Sequence, residues 1–246
     1  MWHHFLIACR FLTRLPLPDG GPVSGPAQGR SAIFFPLVGL IIGLLVWGVA
    51  TLSVTGIPTD LAAALSLTTW VWLTGALHLD GLADMADAWV GGMGDRQRTL
   101  DIMKDPCSGP MGVVSMILVL LCKWAAIAAL IAEGRMTSLI WIPVLARTQL
   151  LLVFLHTPYA RAQGLGAELT AHLPRRLSWA TVLFIPLGSL LQLRGEALPL
   201  LVVTGLVYLY WRRAMMVRLG GFTGDTAGAL VELSEAAILV TAALLP

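Results

Sequence analysis

The chain has 246 residues, of which 57% are hydrophobic and 12% are charged, and its mean hydropathy is +0.80. Soluble domains carry roughly a quarter charged residues, so this composition excludes an ordinary water-soluble protein and predicts an integral membrane protein. Because apolar runs of about 20 residues cross a bilayer as helices, we expect an all-α fold. The net charge of +2 argues against a nucleic-acid-binding protein, and the three cysteines fit neither a disulfide framework nor a zinc site.

The amino-terminal stretch begins with a short apolar run from Phe5 to Cys9, which Arg10 interrupts. That run is shorter than the apolar core of a signal peptide. We therefore expect a short amphipathic helix at the membrane interface instead of a cleaved leader.

Seven stretches further along the chain are apolar enough to be membrane spans. They cover residues 32–54, 60–79, 112–132, 136–155, 178–193, 197–211 and 227–245. The sequence therefore predicts a single transmembrane domain over residues 1–246, a polytopic bundle of about seven helices. Its long connections are residues 80–111, 156–177 and 212–226.

Basic residues are distributed unevenly between the two ends of these spans. Twelve of the 16 Lys and Arg residues precede the first span or fall in the three long connections, whereas only Arg135 and Arg194 fall on the other side. Cytoplasmic loops are enriched in Lys and Arg, so we expect the amino terminus and the long connections to be cytoplasmic. The same connections carry the candidate chemistry, which predicts an active site on the cytoplasmic side of the inner membrane.

An acidic segment follows the second span, where Asp80, Asp84 and Asp87 are spaced i, i+4 and i+7. If the segment is helical, about 100° per residue puts the three carboxylates on one face. Carboxylates on one stripe repel one another unless a cation lies between them, and hard oxygen ligands favour Mg²⁺ or Mn²⁺. His78 projects away from this face and is a weak ligand candidate. The alternative, a solvated acidic helix end, is disfavoured by the cost of an unpaired carboxylate near the membrane.

A glycine-rich segment, Gly220–Gly228, leads into the seventh span with the sequence GGFTGDTAG. Glycines allow a ligand to approach backbone N–H groups closely, and a helix amino terminus favours an anion. Asp225 is a candidate N-cap or metal ligand, and Thr223 adds a hydroxyl. The segment matches neither the phosphate-loop nor the dinucleotide signature, so an ordinary turn is the alternative.

Two acids, Glu232 and Glu235, fall inside the seventh span, where an intramembrane acid needs a partner. Glu232 follows Asp225 by seven residues and could join the metal shell. In the competing hypothesis, both acids pair with Lys123 and Arg147, which also fall inside spans.

Several segments together resemble the cobalamin synthase family, also called the adenosylcobinamide-GDP ribazoletransferases. They are FLTRLPLP, FFPLVGLIIG, LTGALHLDGLADMADAW, DIMKDP with GPMGV, PYAR with GLG, and GGFTGDTAGALVELSE. The resemblance extends from Phe11 to Glu235, and the combination of HLDGLAD with GGxTGDxxGA carries most of its specificity.

The resemblance implies a Mg²⁺-dependent transferase late in cobalamin biosynthesis. Adenosylcobinamide-GDP would react with α-ribazole, or its 5′-phosphate, to give adenosylcobalamin, or its 5′-phosphate, and GMP. By the same analogy the acidic motif is Asp80, Asp84 and Asp87, and the second motif is Gly221, Thr223, Gly224 and Asp225. The chain departs from the family after Asp105, where it reads PCSGPMG and lacks the usual Arg near Cys107. A phosphate contact of that Arg would move to Lys104 or Arg98.

Such a phosphoryl transfer needs cations on the pyrophosphate and a positioned hydroxyl group. The predicted metal ligands are Asp80, Asp84, Asp87, Asp225 and Glu232. The predicted catalytic residues are Asp84, Asp87 and Lys104, with Asp87 as a further ligand or as the base. The predicted substrate-binding residues are Arg14, Arg98, Arg147, Gly221, Thr223 and Gly224. Of the basic residues, Arg14, Lys104 and Arg147 would neutralise developing charge.

Three other functions fit parts of the sequence. A CDP-alcohol phosphotransferase has a signature that also begins with Asp-Gly, but here Leu82 and Ala83 replace its Ala-Arg. A secondary transporter would use the intramembrane charges as a pathway, but the chain shows no internal repeat. A membrane anchor for other corrinoid enzymes would leave the aspartate stripe unexplained. The expected partners are the small-molecule substrates and the bilayer, without nucleic acid.

Overall fold

The computed structural model describes residues 1–18, 20–161 and 163–245. Within these ranges the chain forms α-helices and short 3₁₀ turns, and no strand. The helices are α1 (Trp2–Leu12), α2 (Gly25–Ser31), α3 (Phe35–Ala50), α4 (Thr59–Thr74), α5 (Leu77–Gly91), α6 (Arg96–Ile102), α7 (Pro110–Ala132), α8 (Ser138–His156), α9 (Leu165–Ala171), α10 (Arg175–Leu193), α11 (Ala197–Leu219) and α12 (Gly224–Leu244). The prediction of an all-α fold is confirmed, and a short helix, α1, forms at the amino terminus as expected.

Five helical segments are long and apolar enough to cross a membrane, and a sixth is counted if the bent pair α4–α5 is one span. The five are Gly25–Thr55, Pro110–Ala132, Ser138–His156, Arg175–Leu219 and Gly224–Leu244. The predicted polytopic membrane bundle is therefore confirmed. The predicted count of about seven spans agrees with the five segments and the bent pair once Arg175–Leu219 is divided into two helices.

That longest segment, Arg175–Leu219, folds back on itself to give the separate helices α10 and α11. Arg175 donates a hydrogen bond to the Leu155 carbonyl, and Arg212 donates one to the His156 carbonyl. The start of α10 and the end of α11 therefore lie together at the carboxyl end of α8. At the opposite end of α8, Glu196 in the turn accepts a hydrogen bond from Ser138. The two helices thus run antiparallel to each other.

The centre of the bundle is α8, which is buried along most of its length and packs against α3, α10 and α12. By contrast, α10 and α11 expose large apolar side chains on their outer faces: Leu183, Phe184, Leu191, Leu198, Val202, Leu206 and Leu209. A contiguous apolar surface of this kind is unfavourable in water and suits contact with lipid.

The predicted second span, residues 60–79, is interrupted, which corrects the sequence-based boundary. Gly75 and Ala76 both have positive φ, 60° and 56°, so the chain leaves α4 and re-enters a helix at an angle of 86°. Arg14 stabilises the break, since its backbone N–H donates to the Leu73 carbonyl and its side chain packs against Gly75. The bend turns the aspartate segment onto the neighbouring helix α12.

Helices also occupy much of the three stretches that the sequence predicts as connections. Residues 80–111 contain most of α5 and all of α6, residues 156–177 contain α9, and residues 212–226 contain the last two turns of α11. Asp95 caps α6 by accepting a hydrogen bond from the Arg98 backbone at 2.6 Å, and Arg and Met near the end of α11 are good helix formers. The polar character of these stretches reflects exposure, not irregular structure.

Candidate active site

The acidic and glycine-rich segments, far apart in the chain, meet where α5 packs against α12. A Cβ atom at Gly81 would lie 2.9 Å from the Asp225 carbonyl oxygen and 3.0 Å from the Asp225 Cα. One helical turn away, a Cβ atom at Gly228 would lie 3.3 Å from the Cα of His78. Both segments thus contribute a glycine to the contact, which allows the two backbones to approach each other closely.

The start of α12 is held in place by its own cap and by the chain that follows α8. The Thr223 side chain accepts a hydrogen bond from the Thr226 backbone, and the Thr226 hydroxyl accepts one from the Thr223 backbone. Phe222 forms two backbone hydrogen bonds with the segment that follows α8. Its N–H donates to the Pro158 carbonyl, and its carbonyl accepts from the Ala160 N–H. Asp225 is therefore presented from a rigid first turn.

Gly221, Thr223 and Gly224 have different surroundings, although the sequence groups them as substrate-binding residues. Gly221 is buried and packs against the Pro158 carbonyl, and Thr223 is fully buried as the helix cap. Gly224 is exposed and has no heavy atom within 4 Å of a Cβ built on it. Of the three, only Gly224 has open space for a ligand.

The carboxylates form an acidic cluster, which we define as Asp80, Asp84, Asp87 and Asp225. Asp84 interacts electrostatically with the other three carboxylates and with Arg161. Arg161 also forms an ion pair with Asp225, with 2.8 Å between Nη2 and Oδ2. One guanidinium thus opposes four carboxylates, and this excess of negative charge favours an additional cation.

Asp87 has a structural role within this cluster. Its two carboxylate oxygens accept hydrogen bonds from the backbone of Gly109 at 2.6 Å and of Gly112 at 3.0 Å. These N–H groups belong to the free amino end of α7, which has no side-chain cap of its own. Asp87 therefore caps α7 from a neighbouring helix and is less free to bind a metal than Asp80 or Asp84.

The donor set of the acidic cluster fits Mg²⁺ when part of the coordination comes from substrate. Within the described ranges, no three Asp, Glu, His or Cys side chains are placed to hold a metal ion by themselves. Mg²⁺ is commonly bound by one or two carboxylates together with water and phosphate oxygens. The exposed Asp80 and the partly exposed Asp84 and Asp225 could supply such a pair.

A cavity of about 340 Å³ opens beside the acidic cluster. Asp80, Arg161 and Asp225 line it together with His78, and most of its remaining wall is apolar or aromatic. We call it the apolar cavity. It is lined from α1, α3, α5, α8, α9 and α12 and from the segment that follows α8, so that both sequence motifs contribute to one site.

A second, more polar cavity of about 320 Å³ shares Arg161 with the first. Its other lining residues include Arg96 and Lys104, and we call it the basic cavity. Arg96 is committed to backbone carbonyls of Leu219 and Ala160, both at 2.8 Å. Lys104 forms an ion pair with Asp101 at 3.5 Å in which both side chains are more than half exposed. Such an exposed pair is weak, so an anion can compete for the ammonium group.

The remaining basic residues predicted to bind substrate lie elsewhere. Arg14 is exposed beside the break between α4 and α5, and Arg98 is exposed on α6 and lines neither cavity. Arg147 is fully buried in α8, pairs with Glu235, and lies 3.4 Å from His78. Arg147 therefore lies behind the cavity wall, beside His78, and lines neither cavity.

Glu232 lies in a buried ion network instead of the acidic cluster. The Lys123 ammonium is 2.5 Å from both Glu232 and Glu235, and Arg147 binds the other oxygen of Glu235. All four side chains are nearly inaccessible to solvent. Two acids and two bases balance within the bundle, so the structure favours the pairing hypothesis over a metal-ligand role for Glu232.

Arg161 is the site residue that the sequence analysis missed. Its segment, PYAR, belongs to the resemblance to the cobalamin synthases, but the sequence by itself gives the arginine no role. Its proximity to Asp225 arises from the pairing of Tyr159 with Phe222, which no local pattern reveals. The family match of the PYAR segment was the one available signal.

Comparison with known proteins shows which family the chain resembles over its length. A family model described as cobalamin-5-phosphate synthase matches residues 4–243. The chain is 53% identical over 240 residues to the adenosylcobinamide-GDP ribazoletransferase of Pseudomonas paraeruginosa, and 52% identical over 240 residues to that of Pseudomonas aeruginosa, covering 97% of each chain in both cases. It is 50% identical over 239 residues to the enzyme of the same name from Pseudomonas fluorescens, covering 97% of this chain and 98% of the relative. No solved structure matches the chain. Since the family model spans nearly all of the sequence, this protein belongs to the cobalamin-5-phosphate synthase family.

Proposed function

We propose that this protein is an adenosylcobinamide-GDP ribazoletransferase, like the relatives to which it is 50–53% identical. It transfers the adenosylcobinamide-phosphate group from adenosylcobinamide-GDP to a ribose hydroxyl of α-ribazole or its 5′-phosphate. The observation that carries the proposal is the meeting of Asp80 and Asp225 at one cavity beside Arg161. Carboxylates for a divalent cation and a guanidinium for phosphate are the groups that this reaction needs.

The reaction is a substitution at the phosphorus attached to the cobinamide arm. The ribose hydroxyl oxygen forms a bond to this phosphorus, the bond from phosphorus to the bridging pyrophosphate oxygen breaks, and GMP leaves. The hydroxyl proton passes to a carboxylate. Asp84 suits this role better than Asp87, because both oxygens of Asp87 already accept hydrogen bonds from the start of α7.

Asp80, Asp84 and Asp225 are the residues that would hold Mg²⁺. When bound, the ion supplies positive charge to the pyrophosphate oxygens and thereby stabilises the departing GMP. Arg161 holds Asp225 in position at the boundary between the two cavities. Lys104 and Arg161 would bind the guanosine phosphates in the basic cavity. They would thereby replace the phosphate contact of the family Arg that is absent near Cys107.

The proposed location is the inner membrane, with the site facing the cytoplasm. The site lies at the carboxyl end of α8, where most of the basic residues also lie. The other end of the bundle carries Arg135, which binds Glu196 and the Leu245 carbonyl. This unequal distribution of Lys and Arg supports the cytoplasmic assignment.

Purified protein in detergent, incubated with adenosylcobinamide-GDP and α-ribazole, tests the proposal. We expect GMP release and a new corrinoid on chromatography in the presence of Mg²⁺, and neither product after addition of EDTA. Restoration by excess Mg²⁺ would show that chelation removed the ion without damaging the protein. Movement of labelled substrate across sealed vesicles without GMP release would instead indicate a transporter, and release of CMP from a CDP-alcohol would indicate the other phosphotransferase class.

A further inference from the structure

We propose that the apolar cavity binds the planar benzimidazole base of α-ribazole, the acceptor nucleoside. This contact positions the ribose of α-ribazole at the acidic cluster. The inference rests on the proposed function, and it assigns the apolar cavity to the base of the acceptor substrate. It follows from the shape and chemistry of the cavity wall.

Part of the cavity wall is a connected group of aromatic rings. Phe222 lies 5.5 Å from Phe154 and 5.2 Å from Tyr159 between ring centroids, and Phe35 lies 6.2 Å from Phe154. A further ring, Phe11, stacks on Phe35 at 5.7 Å. Aromatic rings pack favourably against other flat rings in offset or edge-to-face geometry, so this wall suits a planar, apolar ligand.

The charged groups that line the cavity lie close to one another. Asp80 and Asp225 come from the facing helices α5 and α12, and Arg161 joins them through its ion pair. A nucleoside has the same division, with an apolar base at one end and a hydroxyl-bearing sugar at the other. With its base against the aromatic wall, its ribose would reach the carboxylates.

The cavity volume distinguishes the acceptor from the donor substrate. At about 340 Å³, the cavity is near the lower end of the range of roughly 300–1,000 Å³ that is typical for ligand sites. A corrin macrocycle is far larger than this space. The guanine base of the donor carries polar atoms along its edges, which would lose hydrogen bonds against Phe35, Phe154 and Leu169. Benzimidazole with its methyl groups presents mostly carbon.

Two substitutions from different walls of the cavity test the assignment. Leu165, at the start of α9, is 47% exposed and lines the cavity, and Ala227 lines it from α12. Leu165→Trp and Ala227→Leu both add volume at the cavity. Leu177→Trp is the matched control, because Leu177 is 56% exposed on α10 and lines neither cavity.

The measurements are steady-state KM values for each substrate and direct binding of α-ribazole and free dimethylbenzimidazole to the protein without donor. For both cavity variants we expect the KM for α-ribazole to rise by about tenfold or more, equivalent to about 1.4 kcal/mol, with the KM for adenosylcobinamide-GDP nearly unchanged. Dimethylbenzimidazole should bind the wild-type protein and the Leu177→Trp control, and should compete with α-ribazole.

Three outcomes would overturn the assignment, and a fourth would separate it from the proposed function. An unchanged KM for α-ribazole in both variants of an active enzyme overturns the assignment alone. A rise confined to the donor KM places the donor in the cavity and also overturns it. A phospholipid that co-purifies with wild-type protein but not with the variants, with α-ribazole binding unaffected, shows an acyl chain as the occupant. If the base binds in the cavity but no GMP is released, the proposed function fails and the binding site stands.

Discussion

At the scale of single residues, the site depends on how few positive charges accompany the carboxylates. Asp84 faces Asp80, Asp87 and Asp225, and Arg161 is the cation that acts on it. Asp225 is already paired with that arginine, and Asp87 caps α7. Of the partly buried carboxylates in the acidic cluster, Asp84 is thus the one whose oxygens are least engaged by other groups. Its surroundings therefore favour the binding of a cation or a proton.

Replacing Asp84 by Asn should remove most of the transferase activity. The amide keeps the size of the side chain but loses the charge that would bind Mg²⁺ or accept the hydroxyl proton. We expect kcat to fall by about a hundredfold or more, which corresponds to at least about 2.7 kcal/mol of transition-state stabilisation. GMP release by purified protein measures it, with size-exclusion chromatography as the test of folding.

Asp60→Asn is the matched control for this substitution, since Asp60 is an exposed acid in the first turn of α4. Its effect on kcat should be less than about twofold, a difference well below 1 kcal/mol. A folded Asp84→Asn protein that turns over at a rate close to wild type would remove Asp84 from the site.

At the scale of secondary-structure elements, the position of α5 decides whether a site exists. The break at Gly75 and Ala76 turns α5 by 86° from α4. Gly81 then lets α5 lie directly against the first turn of α12. A straight helix over residues 60–79 would have carried the aspartates away from Asp225.

Gly81→Ala should impair catalysis without preventing folding. The added Cβ would lie 2.9 Å from the Asp225 carbonyl, so α5 and α12 must separate by a few tenths of an ångström. Misplacement of reacting groups on that scale is costly, and 1 Å can cost about a hundredfold. We expect kcat/KM to fall by about tenfold or more, measured by GMP release.

The control for this helix contact is Gly205→Ala, in the exposed part of α11, where a Cβ meets nothing within 4 Å. Alanine favours a helix over glycine by about 1 kcal/mol, so this variant should be as stable as wild type and fully active. Equal activities of the two variants would argue against a tight contact between α5 and α12.

At the scale of the whole molecule, the buried ion network links three helices through the centre of the bundle. Lys123 on α7 binds both Glu232 and Glu235 on α12, and Arg147 on α8 binds Glu235. Arg147 also contacts His78, which lines the apolar cavity. The network therefore holds the helices that carry the site, although its charges lie outside it.

A double-mutant cycle on Lys123→Met and Glu235→Leu tests this structural role. Either change alone leaves an unbalanced buried charge, which typically costs about 3–5 kcal/mol. Together they leave Glu232 and Arg147, which balance each other, so the double variant should melt at a higher temperature than either single variant. Thermal unfolding in detergent measures all four proteins, and simple additivity of the two losses would contradict pairing.

Much of this protein is determined by its amino-acid sequence alone. Low charge and long apolar runs predict membrane helices, because a helix lets each apolar segment satisfy all its backbone hydrogen bonds within itself. The spacing of Asp80, Asp84 and Asp87 places them on one face of a helix, and a capped glycine-rich turn starts α12. These features are local, since they depend on residues within a few turns of one another.

The tertiary structure decided the rest. It set the bend that turns α5, the pairing of Arg161 with Asp225, and the pairing of Glu232 with Lys123 in place of a position in the acidic cluster. Each depends on the angle and distance between helices distant in the chain. A periodic pattern states which face of a helix is polar, but not which neighbour that face meets, because lipid-facing and helix-facing apolar surfaces have the same composition. The site is therefore a property of how α5, α8 and α12 pack, and only its parts are visible in the sequence.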